Sequence, residues 1–178
     1  KLLAAMFVAL LMVGCGEESG DETEFERTKR LAEDGDAVAQ HNRGHMYHLA
    51  KGVPRDFAEA VKWYRKAARQ GRPVRAWTNL GNHYYNGDGV PQDYKEALKW
   101  YRKAAKCGFV PALHQLGLMY ANGEGVPKDN VTACAWLIAT GSHLLKADRY
   151  LVAARLTPEE LAKAQELSRT LVKVPRRK

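Results

Sequence analysis

Three histidines, His41, His45 and His48, stand at i, i+4 and i+7 within AVAQHNRGHMYHL. On a helix all three share one face. Neutral imidazoles one turn apart can chelate a transition metal. The spacing matches no familiar metal site, so the stripe is expected to line a polar groove, with no metal and no cofactor. Nucleophilic chemistry has little to stand on. The only serines are Ser19, Ser142 and Ser168, and none lies in a G-x-S-x-G elbow or an S-x-x-K motif. Beyond Cys15 the cysteines are Cys107 and Cys134. Their places in helices of equivalent type differ by nine positions, roughly 13 Å of axial rise against a Cα limit near 7 Å, so both are expected as free thiols. No phosphate loop or zinc ribbon is present.

The elements that hold the histidines are written three times. KGVPRDFAEAVKWYRKAA (51–68) returns as GDGVPQDYKEALKWYRKAA (87–105) and, more loosely, as GEGVPKDNVTACAWLIAT (123–140). The period is 36 to 37 residues. Columns of Trp63, Trp100 and Trp136, of Gly44, Gly81 and Gly117, and of Tyr47, Tyr84 and Tyr120 fix the register. Such a period marks a stack of helix pairs, none able to bury its apolar face alone. In the first helix of each unit the repeated glycine costs about 1 kcal/mol against alanine, which implies close packing against it. The second helix opens at Asp56, Asp93 or Asp129 as N-cap, and Glu59 and Glu96 stand where a reciprocal capping box would place them. Its buried face is expected to carry Ala60, Trp63, Tyr64 and Ala67, then Ala97, Trp100, Tyr101 and Ala104. The fold class is therefore all-α: an α/α superhelical solenoid of three repeats, about 35–70, 71–107 and 108–143, within 27–143.

Both ends break the pattern. Arg43 replaces the leucine of Leu80 and Leu116, and is expected on an outer face meeting solvent. Past the third unit, 144–178 is expected to hold capping helices and a basic tail: one helix over 144–155, then a last one opened by Thr157-Pro158-Glu159-Glu160 and running to about Val172. At the other end, Leu2 to Val13 is an apolar run too short for the roughly 20 residues of a spanning helix. With Lys1 before it and Gly14-Cys15 after it, 1–14 has the shape of a secretory signal whose first residues are missing. Residues 15–26 follow as an acidic, glycine-bearing tether.

The formal charge of +8 conceals an asymmetry. Residues 1–26 hold six acids and one base, leaving 27 basic and 14 acidic residues over 27–178, a formal +13. Such a body favours anionic neighbours, whether phospholipid headgroups, cell-wall polymer or an acidic protein face. The cations concentrate on the second helices (Lys62, Arg65, Lys66, Lys99, Arg102, Lys103). Nucleic acid is not expected as a partner of an exported chain.

Two resemblances add to this reading. Leu11-Met12-Val13-Gly14-Cys15 resembles the lipobox of bacterial lipoproteins, with Met12 where leucine is usual. That resemblance implies acylation of Cys15, and Gly16 after it implies the outer membrane over the inner, with the protein facing the periplasm. The columns A-x-x-x-L-G-x-x-Y, G-x-G-V-x-x-D and E-A-x-K-W-Y-R-K-A-A resemble the Sel-one-like repeats (SLR), relatives of the tetratricopeptide repeats, over about 27–144. That family implies a scaffold for an envelope protein or peptide partner and no reaction. Its disulfide-bridged members, described as β-lactamase-like, carry paired cysteines in each repeat, a pattern missing here. A cell-wall hydrolase and a binder of anionic envelope polymer remain the alternatives. By the tetratricopeptide analogy, partner-binding positions on the first helices are His41, His45 and His48; Thr78, Asn82, Tyr85 and Asn86; and His114, Leu118 and Asn122.

Overall fold

The side chains of Thr23, Asp36, Asp56, Asp93, Asp129 and Thr157 cap the starts of six helices. The structure, a computed structural model, describes residues 23–70, 73–141 and 146–172. Among these the elements are all helices: α1 (Glu24–Glu33), α2 (Ala37–Leu49), α3 (Phe57–Ala68), α4 (Val74–Asn86), α5 (Tyr94–Ala105), α6 (Val110–Asn122), α7 (Asn130–Ala139), α8 (Lys146–Ala153) and α9 (Pro158–Leu171). None is long and apolar enough to cross a membrane. The pairs α2/α3, α4/α5 and α6/α7 are the three repeats. Each helix from α1 to α7 packs on its sequence neighbours, and α9 returns to α7. This is the α/α solenoid expected from the period. The signal segment, Cys15 and the basic tail lie outside the described residues.

The aspartate caps form as expected. Asp56, Asp93 and Asp129 accept from the backbone N–H of Glu59, Glu96 and Thr132 at 2.9–3.0 Å. The reciprocal arm of the box does not form in α3 or α5. The N–H of each aspartate instead donates to the tyrosine column, Asp56 to Tyr47 O, Asp93 to Tyr84 O and Asp129 to Tyr120 O, at 2.8–3.1 Å. Glu59 and Glu96 turn to Lys62 and Lys99. A bond across the loop thus ties the two helices of each pair, where one within the helix start was expected. Among the described residues, the full box appears at Thr157 alone, with both arms made to Glu160.

Packing within a pair rests on a ring seated on a glycine. An alanine Cβ at Gly81 would come 2.5 Å from Tyr101 Cε1, and one at Gly44 would come 2.7 Å from Tyr64 Cδ1. Leu137 takes the same seat on Gly117. Tyr64, Tyr101, Leu80, Leu113 and Leu116 are essentially inaccessible, each stabilising by roughly 1.5–3 kcal/mol. Packing between units runs through the second loop glycine. Gly52 lies on Phe25 of α1, Gly89 on the backbone of Phe57 and Ala58, and Gly125 on Tyr94.

That series explains α1, which begins at Glu24 inside the segment expected to be tether. It stands where the second helix of a preceding unit would stand, and it corrects the expectation for Arg43. The guanidinium does not meet solvent. Arg43 is 7% exposed and its charge lies 5.2 Å from the Phe25 ring centroid, 5.7 Å from that of Tyr47 and 4.9 Å from that of Trp63. Ring faces replace water around the cation.

Ala50 ends α2 at φ 58°, the left-handed position that Gly87 and Gly123 fill in the later units. An L-residue there costs about 1–2 kcal/mol. Ala50→Gly should therefore stabilise the fold by about 1 kcal/mol and raise the melting temperature by about 3 °C in calorimetry.

Candidate functional site

The first helices α2 and α4 leave a continuous groove between them, with the start of α6 as its far wall. Three depressions of about 720, 380 and 120 Å³ join along it. His41, Asn42 and Arg75 border both of the larger ones, and Asn79, Asn82 and His45 continue into the smallest. The wide end is apolar, with Val38, Val74 and Phe109. Val38 is 67% exposed.

Along the floor, hydrogen bonds fix the imidazole tautomers. His83 Nδ1–H donates to the Asp88 carbonyl oxygen at 2.8 Å. Its Nε2 is then the acceptor, and His48 Nδ1–H donates to it at 3.3 Å. This bond joins the first repeat to the second. His41 Nδ1–H donates to Asn42 Oδ1, and Asn79 Nδ2 donates to His41 Nε2, both at 3.2 Å. Tyr101 O–H donates to Asn82 Oδ1 at 2.7 Å.

Burial pushes His41, His45, His48 and His83 below the ordinary histidine range, and the facing His83 lowers His48 further. A depressed folded-state value means that the unfolded chain takes up protons first. The neutral rings therefore contribute stability fully above about pH 6.5, and it is lost as the pH falls from there through the lowered values. The melting temperature should drop between pH 7.5 and 5.5, and His83→Gln should flatten that drop.

The expected site residues divide into two groups. His41, His45, His48, Thr78 and Asn82 line the groove, although the Thr78 side chain is buried and its hydroxyl donates to Val74 O. The histidine stripe does not converge as a trio. His41 and His45 stack with centroids 6.2 Å apart, whereas His48 turns to His83. No group of three metal-ligating side chains forms among the described residues.

Elsewhere the expected positions have other neighbours. Tyr85 O–H donates to Glu124 of the next loop at 3.0 Å, and burial with that carboxylate pushes the phenol up to about 12. Asn86 donates to Asp88 and Asn122 to Glu124. His114 Nε2 lies 2.7 Å from the Asp148 carboxylate of α8, so the third unit is partly covered. Leu118 is half-buried on α6.

Asn42, Arg75, Asn79, His83 and Phe109 were not expected in the groove. Only His83 left a sequence signal: it stands where Met46 and Met119 stand in the sister units, a polar ring in a core column. Cys107 and Cys134 are both free thiols, the second buried.

On the second helices the cations are held in place. Arg65 donates to the Tyr84 hydroxyl at 2.6 Å and Arg102 to that of Tyr120 at 2.7 Å. Lys66 and Lys103 lie over the Trp63 and Trp100 rings, 3.9 and 4.2 Å from the centroids.

An α/α repeat stack with an open groove along its first helices is the architecture of a binding scaffold. The chain belongs to the Sel1 repeat family, whose model matches residues 37–71, 76–109 and 110–139. It is similar to c5321, a protective antigen of uropathogenic Escherichia coli that displays an SLR fold. Identity is 37% and the TM-score 0.75, over 81% of this chain and 31% of that one. It is also similar to a Sel1 repeat protein from Oxalobacter formigenes, at 35% identity and TM-score 0.68, over 83% of this chain and 62% of that one. The chain thus spans less than two thirds of either solved relative. No curated protein sequence matches it. Proteins with this repeat generally mediate protein–protein interaction and are typically non-catalytic scaffolds.

Proposed function

We propose that this protein is a lipid-anchored scaffold of the bacterial envelope, facing the periplasm from the outer membrane, that grips a partner protein or peptide in the groove between α2 and α4. The open, continuous groove on a Sel1 repeat stack carries the reading. A segment lying there would touch two repeats at once, and its backbone and side chains would meet amide and imidazole groups on the floor. The anchor rests on the sequence of residues 11–15, and two or more acyl chains meet the requirement for stable membrane attachment.

Crosslinking in intact cells followed by mass spectrometry tests the groove. Wild-type protein should yield a defined protein partner, and Asn42→Ala with His45→Ala should lose it while keeping the melting temperature. A partner recovered equally from both would remove the groove from the account. The anchor has its own test, because Cys15→Ser should abolish labelling by radioactive palmitate and release the protein from the membrane fraction.

The ordered cations of α3 and α5 favour a second reading, contact with anionic lipid or cell-wall polymer. Binding to isolated cell wall that weakens steeply with salt and needs Arg65 and Arg102 would support it.

A further inference from the structure

The groove holds more than a shape, because its formal charge is one-sided. On the floor, three acceptors are already occupied from within. Asn42 Oδ1 takes the His41 N–H, His41 Nε2 takes an Asn79 N–H, and Asn82 Oδ1 takes the Tyr101 hydroxyl. Thr78 is buried and its hydroxyl donates to Val74 O. His48 Nε2, one nitrogen of the neutral His45 ring and Gln70 Oε1 remain as acceptors along the groove, and beside them stand free donors. Asn42 Nδ2 and Asn82 Nδ2 each carry N–H groups once their oxygens are occupied. Arg75 brings an exposed guanidinium with no carboxylate against it, and among the residues bordering the groove there is no aspartate or glutamate. Beside these donors, at the wide end, Val38, Val74 and Phe109 present apolar surface.

We propose that the groove selects an acidic peptide segment of a partner protein, one in which an aspartate or glutamate lies next to an aliphatic or aromatic residue. This rests on the groove reading above and adds the chemistry of the occupant. Carboxylates and backbone carbonyls are the acceptors that the free amide donors and Arg75 lack, and a charge-assisted bond to the guanidinium is stronger than a neutral one. The apolar neighbour covers Val38 and Phe109, removing surface that the fold itself leaves in water. A basic or acceptor-poor segment would leave the donors unpaired and meet like charge at Arg75, which is discrimination by mismatch.

The test is selection from a displayed library of random dodecapeptides on the full chain, with the same selection on Arg75→Glu. Wild type should enrich peptides that carry acidic residues beside leucine, isoleucine, valine or phenylalanine. The best of these, synthesised and titrated, should bind Arg75→Glu and Val38→Asp at least tenfold more weakly, with melting temperatures unchanged. Arg75→Glu should itself enrich basic peptides. If wild type enriches neutral or basic peptides that still depend on Asn42 and Asn82, the acidic occupant is wrong while the groove stands. If no enriched peptide depends on any groove residue, the groove reading falls as well. If acidic peptides bind but lose nothing in Val38→Asp, the apolar half of the proposal is overturned.

Discussion

Tyr101→Ala is expected to lower stability by about 4 kcal/mol, the middle of the range for removing a buried aromatic ring. At about 3 °C per kcal/mol that is a fall of about 12 °C in the melting temperature. The ring is fully buried on α5, it occupies the space that the missing Cβ of Gly81 leaves on α4, and its hydroxyl anchors Asn82 in the groove floor. Because ring and glycine form one contact, their substitutions should couple strongly. Gly81→Ala alone should destabilise by about 2 kcal/mol, since the ring cannot retreat from a methyl group 2.5 Å away. Placed on Tyr101→Ala, the same alanine meets no ring and should stabilise by up to about 1 kcal/mol through helix propensity. Chemical denaturation of the four proteins measures this. Additive effects would mean that the glycine column is not there for the ring.

Gly89→Ala is the second large effect, expected at about 3 kcal/mol and about 9 °C. Two penalties coincide at this position. Its φ is +71°, and an alanine Cβ would lie 2.5 Å from Ala58 N and 2.6 Å from the Phe57 carbonyl oxygen. Those are main-chain atoms of the neighbouring repeat, so no rotamer change relieves them. Gly87, two residues earlier, isolates the conformational part. At φ +80° its nearest neighbour would be Gln92 Cβ at 3.3 Å, and Gly87→Ala should cost only about 1–2 kcal/mol. Thermal scans that rank the two the other way would show that the second loop glycine does not seat one repeat on the next.

The contrast between those glycines marks what the sequence carries openly. A period of 36 to 37 residues is enough to read helix pairs, aspartate caps and the buried Trp63, Tyr64 and Tyr101, because each obeys a local rule that the repeat writes more than once, whereas Trp100, expected on the same buried face, is only half-buried. What escaped reading was non-local. Glu59 and Glu96 satisfy the capping-box pattern, yet the N–H that would complete it is taken by a tyrosine carbonyl on the preceding helix. Arg43 reads as a solvent-facing charge until α1 supplies Phe25 beside it. The groove suffered similarly. His41, His45, Thr78 and Asn82 follow from their offsets to the glycine column, but that analogy cannot see α8 reaching His114 or Glu124 capturing Tyr85. Nor could it show Arg75 and Phe109, which come from different repeats and meet only across the groove.

The central claim is that a protein partner is held between α2 and α4. The most direct measurement places a photo-crosslinking amino acid at Arg75, or at Lys99 on the outward side of α5, and irradiates intact cells that express the full-length protein. A defined partner band should form from Arg75 and be missing from Lys99. A band from Lys99 alone would contradict the groove and move the binding surface to the basic second helices.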